Sequence, residues 1–257
     1  MRTIQVIDTT GPEHLEVREV DEPTAGPDEV VVEVESVGVA FPDLLLSRGE
    51  YQLKPEPPFT LGVDFAGRVV STGSTTEGTG STTEGTGSTT EGTGSGAELA
   101  PGTRVAGVLP HGGAAERVAV PASFVFPLPD GTSFDEGAAL PMNYLTAHFA
   151  LAVRGQVGAG DTVLVHGAAG GVGTASLQVA KGLGARTIAV TSTQEKADFA
   201  RAAGADEAVL LDGFKDAVGE LTRGRGVDAV VDVVGGDAFT DSLRVLAPLG
   251  RLLVIGF

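Results

Sequence analysis

The chain has 257 residues, enough for one large domain or two ordinary ones, and at 42% apolar and 20% charged it can bury a core, which excludes wholesale disorder. Its 17 basic and 34 acidic side chains give a formal net charge of −17, and so acidic a surface repels phosphate backbones and anionic lipid, arguing against a nucleic-acid or membrane-surface role. There is no cysteine, which removes disulfides, thiol nucleophiles and every thiolate-ligated zinc site.

The chain opens on Met1–Asp8, which alternates like a strand and lacks the long apolar core of a signal peptide. No apolar run approaches the ~20 residues needed to cross a bilayer, so a soluble, cytoplasmic protein is expected. Seven short, Val-rich segments bounded by Gly, Pro or Asp are predicted strands: Arg2–Asp8, Leu15–Val20, Glu29–Val39, Phe65–Ser71, Arg104–Leu109, Glu116–Val120 and Phe124–Leu128. Such a series suggests a compact, barrel-like β domain. A helical turn, Asp43–Arg48, closed by Gly49, interrupts it. Ser74–Gly80, Ser81–Gly87 and Ser88–Gly94 are identical copies of Ser-Thr-Thr-Glu-Gly-Thr-Gly. The seven-residue period has no apolar position and so no coiled-coil seam; the expectation is a solvated low-complexity loop over 74–94.

From Ser133 the period changes. Ser133–Glu136 is a capping box, and a helical stretch over about Asn143–Arg154 follows. Strands Thr162–His166, Arg186–Val190, Glu207–Leu211, Val227–Val233 and Arg251–Ile255 then alternate with helices Gly171–Leu183, Gln194–Ala203, Gly213–Thr222 and Ala238–Leu246. Ser192–Glu195 reads as the capping box of the second of these helices. Alternating β and α predicts a parallel, doubly wound sheet.

Its first strand runs into His166-Gly-Ala-Ala-Gly-Gly-Val-Gly173, where a helix begins. Glycines permit the tight turn and the approach of backbone amides to a pyrophosphate, and the helix N-terminus adds free N–H groups and a positive dipole. A bare glycine-rich match is weak; a strand before it, an amphipathic helix after it and repeating βα units beyond make it specific. NAD binders usually carry Asp or Glu about 20 residues on to hold the ribose 2′-hydroxyl. Here Thr191–Ser192–Thr193 fills that place, with Lys196 one turn into the next helix, which favours NADP(H): small hydroxyls leave room for a 2′-phosphate and Lys196 can neutralise it.

With these residues in view, the sequence resembles the zinc-independent NADPH:quinone oxidoreductases of the medium-chain dehydrogenase/reductase superfamily. The matching stretches are Gly38–Asp43, Gly49–Tyr51, Pro58–Val69, Ala139–Ala147, His166–Gly173 and Val227–Gly236. The resemblance implies an α/β chain: a GroES-like, partly open β-barrel catalytic domain over 1–123, carrying the 74–94 loop, and a doubly wound Rossmann domain over 124–257. The Rossmann domain would be incomplete at its C-terminus, since five strands are counted where six are usual. Zinc-dependent relatives would carry Cys-His at Ala40–Phe41, Gly-His-Glu at Gly62–Asp64 and a further Cys near Met142, so no metal is expected. Many relatives carry Asn at Ala40, which removes one polar substrate contact here.

By the same resemblance, Tyr51, Asn143, Tyr144 and Thr146 lie around the nicotinamide, the first three as catalytic residues. Gly170, Gly171, Val172 and Gly173 hold the pyrophosphate, Ser192 and Lys196 the 2′-phosphate, and Gly235, Ile255, Gly256 and Phe257 the nicotinamide side. Asp43 and Asp64 read as structural hydrogen-bonding residues. No general acid is evident, which leaves the product's proton to water. The implied activity is hydride transfer from NADPH to quinones or related α,β-unsaturated carbonyl compounds, in a homodimer as is usual for the family. The alternatives are an enoyl-thioester reductase and a catalytically silent NADPH-binding protein.

Overall fold

A computed structural model describes residues 1–73 and 99–256; the repeat at 74–94 and Phe257 lie outside the described residues. They divide into two compact units, Met1–Met142 and Asn143–Phe257.

The first unit is a partly open barrel of two antiparallel sheets. Strand β1 (Arg2–Val6) pairs along its length with β2 (Leu15–Glu19). The long strand β3 (Glu29–Gly38) leads into helix α1 (Phe41–Ser47). Strand β4 (Phe59–Thr60), too short to be legible in the sequence, pairs with the other edge of β1. Strands β5 (Asp64–Thr72), β6 (Arg104–Val108), β7 (Arg117–Pro121) and β8 (Val125–Pro127) complete the second sheet, in the order β7-β3-β5-β6-β8. The pairing of β3 with β5 slips at Val31/Val32 and again at Val34/Ser36. Such bulges sharpen twist and bend a sheet toward closure. A bridge between Thr3 and Ala115 ties β1 to the segment that enters β7. Inward positions of the second sheet, Val30, Val32, Phe65, Val69, Val105, Val118, Val120 and Val125, form one apolar core. The capping box at Ser133–Glu136 is present and opens helix α2 (Phe134–Ala138).

Helix α3 (Pro141–His148) starts two residues before the expected Asn143, and its continuation over Phe149–Arg154 is wound wider, as a π-helix. Strand β9 (Thr162–His166) is buried at every residue, as a central parallel strand should be. There follow helix α4 (Gly171–Gly182), strand β10 (Arg186–Thr191), helix α5 (Gln194–Ala202), strand β11 (Glu207–Leu210), helix α6 (Phe214–Leu221), strand β12 (Val227–Asp232), helix α7 (Gly236–Val245) and strand β13 (Leu246–Val254). The order β11-β10-β9-β12-β13, all parallel, is the doubly wound arrangement of a Rossmann domain. Alternate residues of β9 enter two different cores: Val163 and Val165 on one face of the sheet, Leu164 on the other.

Two expectations are corrected. Strand β13 begins at Leu246 instead of Arg251: Leu246 pairs with Val227, the chain loops out around Leu249 (φ 65°), and pairing resumes between Arg251 and Ala229. Helix α5 is capped by Thr193, whose hydroxyl accepts Lys196 N–H at 3.3 Å, so Ser192 and Glu195 do not form its capping box. The extended backbone of Thr193, one residue later, puts its hydroxyl over the first turn.

Candidate functional site

The site is built from the ends of buried strands. Where β9 stops at His166, Gly167 takes a positive φ of 58°, a conformation that glycine adopts without strain. The N–H of Gly170 donates to the Gly167 carbonyl at 2.9 Å and closes the turn, and α4 starts on the next residue. Gly170, the N-cap, offers no side-chain acceptor, so the first-turn amides face outward with the helix dipole behind them. Gly173 is dictated by packing: a Cβ there would lie 2.2 Å from the Gly167 carbonyl oxygen and 2.7 Å from Ala168 Cα. Gly171 is confined by a side chain, with Asn143 Oδ1 2.6 Å from where its Cβ would stand.

This turn forms one wall of a cavity of about 370 Å³, lined by His166–Gly170, Val190, Thr191, Ser192, Lys196, Leu211 and Val234. Among the lining residues Lys196 Nζ donates to Ser192 Oγ at 3.2 Å, which brings the expected pair together at the end of β10. No carboxylate is among the lining residues, and Lys196 is the cation there. Burial holds the His166 imidazole below its ordinary value, opposed by the nearby Asp232 carboxylate, so the ring is neutral at neutral pH. A glycine-walled pocket without a carboxylate, bordered by the N-terminus of α4 and carrying an ammonium group, suits a molecule with anionic groups.

The expected residues fall into four groups. Gly170, Ser192 and Lys196 line the cavity, and Gly171, Val172 and Gly173 form the first turn of α4 beside it. Asn143 reaches that turn, whereas Tyr144 directs its hydroxyl to Gln178 Oε1 on α4; Thr146 lies on the same helix α3. Gly235, with φ 70°, is the N-cap of α7, while Ile255 follows β13 and donates its N–H to the Asp232 carbonyl at 2.9 Å, with Gly256 (φ 71°) next. Tyr51 belongs to the first unit, half-buried against Val6, Leu46 and Phe59. Sequence reasoning misses Asp232 and Ser242, both buried, and takes His166 only as the edge of the glycine motif. A polar residue closing an otherwise apolar strand is the available signal.

The first unit buries two acids. Asp43 accepts the N–H of Ala40 at 2.8 Å through Oδ2 and that of Gly62 at 3.2 Å through Oδ1. Asp64 accepts the N–H of Met142 at 3.0 Å. Burial, with Asp43 close by, pushes the Asp64 carboxyl up to about 7, and burial raises Asp43 as well. These residues do not fit a zinc ion: Ala40 and Val63 carry no donor atom, the Asp64 carboxylate is taken up by backbone, and no three His, Cys, Asp or Glu among the described residues are grouped to hold a metal. No helix among the described residues is long and apolar enough to cross a membrane.

Comparison with known proteins gives a consistent picture. Residues 26–130 match the alcohol dehydrogenase GroES-like domain family, and residues 171–257 the zinc-binding dehydrogenase family. Quinone oxidoreductase-like protein 2 of Mus musculus is 37% identical over 95% of this chain, and the chain spans 65% of that protein's length. Quinone oxidoreductase of Mus musculus is 30% identical over 100% of this chain and 73% of its own length. The quinone oxidoreductase of Thermus thermophilus, whose structure was also determined in complex with NADPH, superposes with a TM-score of 0.80 at 36% identity, over 98% of this chain and 72% of that one.

Proposed function

The chain belongs to the quinone oxidoreductase family of medium-chain dehydrogenases and reductases, and from that premise we propose that it is a zinc-independent, NADPH-dependent reductase of quinones or related α,β-unsaturated carbonyl compounds. The observation that carries this reading is the cavity that the glycine turn and the Ser192–Lys196 pair line together, with no carboxylate on its walls. An Asp or Glu at the end of β10 would repel a 2′-phosphate; the ammonium of Lys196 attracts one. NADPH, when bound, supplies the hydride. The first-turn amides of α4 hold the pyrophosphate, and Gly173 lets that helix pack closely on the turn that leaves β9. Asn143 and Tyr144 on α3, with Tyr51, Thr146, Gly235, Ile255, Gly256 and Phe257, are proposed to surround the nicotinamide. The donor set of the first unit supports a reaction without zinc, since polarisation by a metal would need ligands that Ala40 and Val63 cannot provide.

In the same reading the first unit acts on the substrate and the second carries the nucleotide, in a homodimer of the cytoplasm. The net charge of −17 is consistent with a small neutral substrate and not with nucleic acid. The test is oxidation of NADPH by the purified protein with a panel of quinones, alkenals and enoyl thioesters. Turnover with quinones or alkenals is expected. Turnover confined to enoyl thioesters, or NADPH binding without turnover on any member, would replace the proposal.

A further inference from the structure

His166 and Asp232 end neighbouring strands, β9 and β12, at the point where the strand order of the sheet reverses. Both side chains are withdrawn from solvent, at 0% and 1% exposure. Each reaches the same helix. The Ser242 hydroxyl has one proton, which it gives to the Ala238 carbonyl at 2.7 Å, so at 2.8 Å it accepts the Nε2–H of His166. That fixes the tautomer and ties the imidazole to the second turn of α7. The ring is held from the other side by the edge-to-face contact with Phe214, at 4.9 Å and 90°. Asp232 Oδ1 accepts the N–H groups of Val234 at 2.8 Å and Gly235 at 2.9 Å, which shapes the turn entering α7.

Buried polar atoms cost stability unless they are hydrogen-bonded, and neither His166 Nδ1 nor Asp232 Oδ2 has a hydrogen-bond partner among the described residues, so the pair is expensive for the fold. What the pair does is hold α7 at its start and about two turns further along, and so fix the Val234–Gly235 turn, whose Val234 lines the cavity beside the glycine turn. We propose that His166, Asp232 and Ser242 are positioning residues for the nucleotide: acting through α7, they set the wall formed by the Val234–Gly235 turn and thereby the fit of the nicotinamide half. This inference rests on the nucleotide reading above.

The test measures two dissociation constants on the purified chain, one for NADPH and one for adenosine 2′,5′-bisphosphate, which keeps the 2′-phosphate end but lacks the nicotinamide half. Ser242→Ala removes the acceptor with little change in volume, and His166→Phe keeps the ring but not the donor. Both should weaken NADPH about fivefold, the scale of one lost buried hydrogen bond, while the bisphosphate stays within about twofold of the parent. His166→Gln, which restores an N–H toward Ser242, should recover most of the NADPH affinity. Equal weakening of both ligands together with a lowered Tm would reduce these residues to general support of the fold and overturn the proposal, as would unchanged NADPH affinity in Ser242→Ala. A parent chain that binds neither ligand would instead defeat the nucleotide reading, and this inference with it.

Discussion

Both units bury acids, but they use them differently. In the first, Asp43 and Asp64 accept backbone amides, and the carboxylates serve as internal fasteners for the segments around Ala40, Gly62 and Met142. In the second, Asp232 fastens a turn with one oxygen only, and that turn is a wall of the cavity. The first arrangement is burdened by its own charge, as the raised values of both acids show. The second shares its strand ends with a neutral imidazole and yields a shaped pocket. Burial of a charged group is therefore not by itself a sign of a site; what distinguishes the two is whether the backbone held in place faces a cavity.

The sharpest break of this contrast is at the glycine turn. Gly173→Ala places a methyl group against backbone atoms at 2.2 and 2.7 Å, which no side-chain rotation relieves. NADPH binding should fall by about a hundredfold or more, since both the turn and the amides that face the pyrophosphate must shift. Gly171→Ala meets only the Asn143 side chain and should lose less. Gly170→Ala, with its nearest neighbour at 3.3 Å and an ordinary φ of −86°, should lose least. Fluorescence titration with NADPH across the three variants checks the order, and a flat series would show that this turn does not bind the nucleotide.

The next effect belongs to the first unit. The folded chain keeps a proton on Asp64 that the unfolded chain releases, so the stability this group contributes is fully present below its ordinary value of 3.8 and is lost as pH rises to about 7. Asp64→Asn keeps an acceptor for Met142 N–H and carries no charge. At pH 8 it should melt several degrees above the parent, and the parent's decline between about pH 4 and 7 should flatten, with a residual slope from Asp43. Thermal melts over that range decide it. A variant less stable than the parent at pH 8 would mean that the ionised carboxylate is needed where it sits.

A third effect tests the lysine that lines the cavity. Lys196→Ala should weaken NADPH about tenfold and leave NADH nearly unchanged, since an exposed ammonium gains only from the 2′-phosphate. Equal dissociation constants of the parent for the two cofactors would remove the proposed specificity.

Most of the architecture was legible because its signals are local. Valine-rich alternation marked seven of the eight strands among the described residues of the first unit, and strand, glycine turn and helix in succession marked the glycine wall of the cavity. Where the sequence misled, long-range pairing decided the outcome. The two residues Phe59–Thr60 are a strand only because β1 lies alongside, and β13 starts early because Leu246 finds Val227 across a loop that Leu249 turns with a positive φ. The site followed the same rule. Ser192 and Lys196 were visible as neighbours in sequence, whereas the His166–Ser242 bond spans 76 positions and joins elements whose proximity no local pattern encodes.

The smallest effect concerns that same boundary between local and distant information. Spacing in the sequence assigns the cap of α5 to Ser192, with Glu195 at the right distance for a capping box. The structure divides the work instead: Thr193 takes the Lys196 amide, while Ser192 accepts the Lys196 ammonium. Thr193→Ala should therefore cost about 1 kcal/mol, the usual worth of an N-cap, and lower Tm by a few degrees. Ser192→Ala should leave Tm within a degree or so of the parent, because it removes an exposed contact only. In NADPH titrations the ranking should invert, Ser192→Ala weakening binding through the 2′-phosphate and Thr193→Ala acting only as far as the helix frays. A Tm loss in Ser192→Ala with none in Thr193→Ala would return the cap to Ser192 and leave Lys196 without its partner on the cavity wall.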